Sequence, residues 1–119
     1  MVDLLGLLIE CYNKNDFSSL RPHLSDNCRY TSQWVLDEMV GGNTICDYLI
    51  AKSKRISETG SFVVAKRVSF LNPYPEQEAA LVFQGNEETP SCIIRIKVES
   101  KKILQIDICM PQLFKYRYE

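Results

Sequence analysis

Tyr30, Ser32 and Trp34 alternate aromatic, hydroxyl and aromatic along the short run Cys28-Arg29-Tyr30-Thr31-Ser32-Gln33-Trp34. In an extended chain every second side chain shares a face, so these three point the same way. Apolar walls broken by a few orienting hydrogen-bond groups are what a small-molecule pocket needs. Tyr12 and Tyr48 each stand at core spacing in a helical pattern and add phenols that reach the same space. Met39 and Met110 add adaptable thioether walls. Core packing is the plainer use of each side chain; taken together, the seven are the candidate ligand-binding residues.

Acid–base chemistry has weaker support. Asp37 and Glu38 follow the strand in an expected solvated loop near the opening, whereas a working carboxylate needs desolvation and a partner. His23, the one histidine, titrates near neutrality but has no nucleophile or acid in a recognisable motif with it. Gly41-Gly42 lacks the following Lys-Ser/Thr of a phosphate-binding loop and reads as a helix lead-in. The five cysteines are widely spaced and include no C-x-x-C pair, so neither a zinc site nor a disulfide framework is read. No catalytic constellation, metal site or cofactor is therefore expected.

The elements that would position these residues follow from periodicity. Residues 2 to 14 gather Leu4, Leu5, Leu8, Ile9, Cys11 and Tyr12 on one stripe, which predicts a first helix. Asn15 and Asp16 start a short second helix carrying Phe17, Leu20 and Leu24, tightened near Pro22. The strand at 28 to 34 follows. Thr44-x-x-Asp47 reads as a capping box opening a third helix that buries Ile45, Tyr48, Leu49 and Ile56 and ends at Gly60.

From Ser61 the period changes to two, in runs 61–71, 78–84, 91–99 and 103–110, which predicts an antiparallel meander. With Ser100-Lys101-Lys102 as the last hairpin loop, Cys92, Ile94, Ile96 and Val98 would face the helices together with Leu104, Ile106, Ile108 and Met110. Arg95 would then sit opposite Asp107 on the other face, among Ile93, Lys97, Ile103, Gln105 and Cys109. A half-apolar face with matched charges suits a homodimer contact through Ile93, Arg95, Lys97, Gln105 and Asp107, and Ile93→Glu is expected to abolish assembly.

With 119 residues, 45% hydrophobic, the chain suits one domain spanning 1–119. A net charge of -1, with 14 basic and 15 acidic residues scattered, offers no footprint for nucleic acid or an anionic membrane surface. The leucines at the amino terminus are too few and too close to Asp3 and Glu10 for a signal peptide or a membrane span. Odd-numbered, unpaired thiols point to a cytoplasmic setting.

The layout resembles the nuclear transport factor 2-like superfamily, specifically its SnoaL-like branch. The resemblance rests on the run from Leu7 to Phe17, the segment Leu24-Ser25-Asp26-Asn27-Cys28-Arg29-Tyr30, and the helix start from Gly42 to Tyr48-Leu49. It implies an α+β fold with about three N-terminal helices packed on a strongly curved, mainly antiparallel sheet. That is a cone-shaped, cystatin-like half barrel with an internal pocket, often a homodimer through the sheet. Ketosteroid-isomerase-like members place a carboxylate base, a Tyr and a protonated acid where this chain has Thr31 or Ser32, Leu8, and Ile94 or Arg95, so none matches. A pocket protein binding a small, mainly apolar molecule is the leading expectation. An isomerase, dehydratase or cyclase-type enzyme and a dimerising interaction module stand beside it.

Overall fold

The computed structural model describes residues 3–33, 35–70, 78–113 and 115–118, and of residues 35–37 and 113 the backbone alone. Among the described residues two α-helices, α1 (Leu4–Lys14) and α2 (Gly42–Glu58), lie on a seven-stranded sheet. Its strands are β1 (Leu24–Ser32), β2 (Val35–Val40), β3 (Val63–Phe70), β4 (Glu78–Gln84), β5 (Cys92–Glu99), β6 (Lys102–Cys109) and β7 (Tyr116–Tyr118). Their order is β2-β1-β6-β5-β4-β3-β7. The sheet is curved and unclosed, and every described neighbour pair is antiparallel except β1 with β6.

α1 forms where its stripe demands, and it buries Leu4, Leu5, Leu8 and Cys11. Asp3 caps it by accepting from the Gly6 N–H at 3.0 Å. Asn15 ends it in the left-handed region and donates to the Ser53 carbonyl at 2.8 Å, tying α1 to α2. Asn13 ties the same helix to β3, donating to the Ala65 carbonyl and accepting from the Ala65 N–H. The small residues Ala65 and Ala80 on the inner sheet face let the helix approach closely.

The expected second helix is only a 3-10 turn at Arg21–His23. Pro22 brings no N–H and the segment is too short to nucleate a full helix, so two α-helices stand where about three were expected. The first strand starts earlier than expected, at Leu24, and the expected Asp37-Glu38 loop is edge strand β2. β7 was not read from the sequence at all.

Nor does the expected capping box cap α2. The helix begins at Gly42, two residues ahead of Thr44, and Asp47 instead accepts from Arg21 at 2.6 Å. A Cβ at Gly42 would lie 2.8 Å from the Ser25 carbonyl oxygen, so only glycine lets the helix start this close to β1.

The β5–β6 hairpin turns on Ser100 and Lys101 alone, both at positive φ, as a two-residue primed turn requires. A bulge then shifts the register from Lys97↔Gln105 to Val98↔Ile103. That extra residue reverses the parity beyond it. Ile103, expected on the outer face, is fully buried in the helix-side core. Leu104, expected toward the helices, is the half-buried bulge residue, and Val98 is 49% exposed. Arg95 does pair with Asp107.

Two cores result. The larger lies between helices and inner face; the smaller, on the outer face, packs Val68, Phe70, Ala79, Leu81, Phe83, Ile93 and Cys109. Ile93 has 0% exposure in the single chain, so Ile93→Glu probes the fold and not merely assembly. All five cysteines are free. Among the described residues no helix is long and apolar enough to cross a membrane.

Candidate functional site

α2 packs against β1 and β2, whereas α1 covers β3 and β4. Under α2 is a cavity of about 590 Å3. β1 supplies Tyr30 and Ser32, β2 supplies Glu38 and Met39, and α2 supplies Tyr48 and Lys52. Gln84, Ser91 and Cys92 come from the ends of β4 and β5, and Ile108 from β6. A smaller chamber of about 70 Å3 continues inward toward Tyr12, Phe17 and Leu49 and shares Tyr30, Lys52, Gln84, Ser91, Cys92 and Ile108. Glu38, Lys52 and Gln84 are exposed and mark the mouth.

The walls are aromatic and aliphatic. Tyr30 and Tyr48 lie tilted, ring centroids 5.6 Å apart, and the Lys52 amine sits 6.0 Å from the Tyr48 centroid. Tyr12 packs edge-on against Phe17 at 4.9 Å. Burial pushes the Tyr30 phenol well up from its ordinary value, Tyr48 and Cys92 adding to the effect. Burial likewise raises Tyr12 strongly, with Tyr30 next among the causes. Both phenols are therefore neutral hydrogen-bond donors at physiological pH. Burial pushes the Cys92 thiol up to about 11, with the Lys52 charge pulling the other way. That thiol is a poor nucleophile at neutral pH.

Of the residues expected at a pocket, Tyr30, Ser32, Met39 and Tyr48 line the main cavity and Tyr12 the inner chamber. Trp34 lies outside the described residues. Met110 lines neither space: it is 37% exposed, just past the end of β6, and its N–H donates to Gln33 Oε1. His23 sits in the 3-10 turn and does not line the cavity.

Lys52, Gln84, Ser91 and Cys92 were not singled out from the sequence. Lys52 follows Tyr48 by four and so shares its helix face, a signal that was legible. Cys92 has the inward parity of Ile94 and Ile96. Gln84 and Ser91 meet only because β4 and β5 pair, which no local pattern announces.

Among the described lining residues the one carboxylate is Glu38, exposed and 3.7 Å from Arg29 Nε. No group of three His, Cys, Asp or Glu side chains among the described residues could hold a metal ion. What the arrangement supplies is an apolar cleft, neutral phenols, a hydroxyl or two, and a single ammonium at the mouth.

The sequence matches no protein-family profile and no curated protein. Solved structures do resemble it. An NTF2-like protein of unknown function from Cytophaga hutchinsonii superposes with a TM-score of 0.62 at 10% identity, over 89% of this chain and 85% of that one. A putative polyketide cyclase from Sinorhizobium meliloti gives 0.61 at 12% identity, over 91% and 94%. A steroid delta-isomerase from Pseudomonas aeruginosa gives 0.59 at 12% identity, over 89% and 75%. Identities this low speak for the backbone and not for the chemistry. On that backbone likeness the chain has the nuclear transport factor 2-like fold, two helices closing over a curved α+β sheet.

Proposed function

We propose that this chain is a non-catalytic pocket protein of the SnoaL-like kind, binding a small, mainly apolar molecule between α2 and the inner sheet face. The observation that carries the reading is the cavity of about 590 Å3 walled by Tyr30, Met39, Tyr48 and Ile108, with its charged groups, Glu38 and Lys52, confined to the exposed mouth. Sites for small ligands typically span about 300–1,000 Å3 with such walls. Glu38 is exposed and paired with Arg29, the opposite of the desolvated carboxylate that acid–base catalysis requires. The test is fluorescence titration with the neutral apolar probe N-phenyl-1-naphthylamine. Saturable binding, lost in a folded Met39→Trp variant that fills the cleft, is expected; unsaturable or absent binding sinks the reading.

An enzyme of the isomerase, dehydratase or cyclase type is the second reading, and the burial-raised Tyr30 phenol beside Tyr48 favours it. Neutral phenols aimed at a developing oxyanion stabilise it. It predicts double-bond migration in a β,γ-unsaturated ketone that falls about 100-fold in Tyr30→Phe; no turnover with the wild-type chain removes it.

We also infer a homodimer through the polar part of the outer face, Arg95, Lys97, Gln105 and Asp107, with Ile93 buried behind it. Lys97→Glu is expected to weaken the dimer in sedimentation equilibrium, and a wild-type chain already monomeric at high concentration excludes the contact. Five free thiols, four of them buried, fit a reducing cytoplasmic setting.

A further inference from the structure

The cavity mouth carries a charge that the fold itself does not use. On α2 the positions three and four residues from Lys52 are Leu49, Tyr48, Arg55 and Ile56, so the helix supplies no acid to pair with it. Across the mouth, Glu38 is engaged with Arg29. Among the described residues no carboxylate stands within ion-pair distance of the Lys52 amine, which lies over the Tyr48 ring. The aromatic contact leans the exposed Lys52 chain toward the cleft, so its ammonium stands at the rim of the mouth.

The residues around it fit one end of a ligand. Lys52, Gln84 and Ser91 all line both the main cavity and the inner chamber, and with Lys52 and Gln84 exposed they bring an ammonium, an amide and a hydroxyl to the mouth. Tyr30, Met39, Tyr48 and Ile108 offer the opposite character along the rest of the wall. A molecule filling this space needs an apolar body and a single polar head that accepts hydrogen bonds and bears negative charge. We propose that the ligand is a monocarboxylate with an apolar aliphatic or aromatic body, its carboxylate held by Lys52 with Gln84 and Ser91, and its body lying along Tyr30, Met39, Tyr48 and Ile108.

Lys52 suits a carboxylate because a compact ammonium directs three donors without demanding the two-pronged geometry of a guanidinium. The cleft lowers the local dielectric on one side of the pair, so the charge-assisted hydrogen bond is stronger than on an open surface. This inference rests on the pocket reading above, and its test separates the two. Decanoate and decanol, and 2-naphthoate and 2-naphthalenemethanol, differ within each pair chiefly in the head. Their binding near neutral pH is measured by displacement of N-phenyl-1-naphthylamine and by calorimetry.

The wild-type chain is expected to bind the acid of at least one pair about tenfold more tightly than its alcohol. Lys52→Gln, an exposed substitution that leaves the fold intact, abolishes that preference while alcohol binding stays within about twofold, and Lys52→Arg retains most of it. Raising salt weakens the acid and not the alcohol. Equal binding of acid and alcohol, or a preference that survives Lys52→Gln, overturns the carboxylate assignment and leaves the pocket standing. Failure of the neutral probe and of both pairs overturns the pocket reading as well.

Discussion

The inner and outer faces of one sheet are built from alternate residues of the same strands, yet one holds a cavity and the other a filled cluster. On the outer face Leu81 sits opposite Ile93, and with Val68, Phe70, Phe83 and Cys109 they close on one another. On the inner face the corresponding residues are small beneath α1, Ala65 and Ala80, and aromatic beneath α2, Tyr30 facing Tyr48. The outer side chains of β3 to β6 pack into one cluster, whereas under α2 the lining side chains leave a wedge unfilled. The pocket therefore follows from which side chains meet beneath each helix, since both helices lie against the sheet.

The sharpest break of this comparison is a charge placed in the filled cluster. Ile93→Glu buries a carboxylate among apolar neighbours and is expected to cost on the order of 4 kcal/mol or more, a large share of a typical domain's stability. Urea denaturation reads the loss directly. Next comes truncation on each face. Leu81→Ala opens a void in a region without spare space and should cost about 3 kcal/mol. Met39→Ala, half-buried on an edge strand and already facing the cavity, should cost about 1 kcal/mol. Equal costs for the two would show that the wedge is packed and not open.

Much of this arrangement was legible in the chain because it depends on short periods. The stripe from Leu4 to Tyr12 specifies α1, and alternation through Tyr30 and Ser32 specifies which way they point. Tyr48 and Met39 come to the same cavity by helix-face and strand-face parity. What was illegible has non-local causes. The bulge at Lys97/Val98 reverses Ile103 and Leu104, and nothing in the run Ile103 to Met110 marks it. β2 hides behind Asp37-Glu38 because an edge strand tolerates charge that a central strand excludes. The approach of Gly42 to Ser25 overrode the helix start suggested by Thr44. Gln84 and Ser91 acquire meaning only after β4 pairs with β5.

The thiols probe the same two faces by titration. Burial raises all five, Cys28 and Cys92 to about 11 from an ordinary 9.0. Between those values the folded chain keeps protons that the unfolded chain releases, so unfolding binds fewer protons and stability falls as pH rises. Stability is expected to be unaffected by these groups below pH 9 and to decline above it, by up to about 1.4 kcal/mol per pH unit for each such thiol. Cys92→Ala should make the decline shallower. Access separates the faces further. Cys92 is half-buried at the cavity, Cys109 buried in the outer cluster, so iodoacetamide at alkaline pH should modify Cys92 first in peptide mapping. Faster reaction at Cys109 would mean the outer cluster opens more readily than the cleft.

The smallest expected effect on stability sits at the cavity rim. The Arg29–Glu38 pair is 3.7 Å apart with both side chains exposed, so Glu38→Gln should move the urea midpoint by no more than about 0.5 kcal/mol. Its effect on ligands runs separately from stability. Glu38 is the lining carboxylate among the described residues and repels an incoming anion, while Lys52 across the mouth attracts it. Removing Glu38's charge should therefore tighten decanoate about twofold at low salt and leave decanol unchanged, the opposite sign to Lys52→Gln. Binding that responds to the two rim charges in opposite directions, with the fold's stability unmoved by either, locates the ligand's head at the mouth. A Glu38→Gln variant that alters both acid and alcohol equally would instead place Glu38 in shaping the cleft, since a charge effect cannot act on the neutral alcohol.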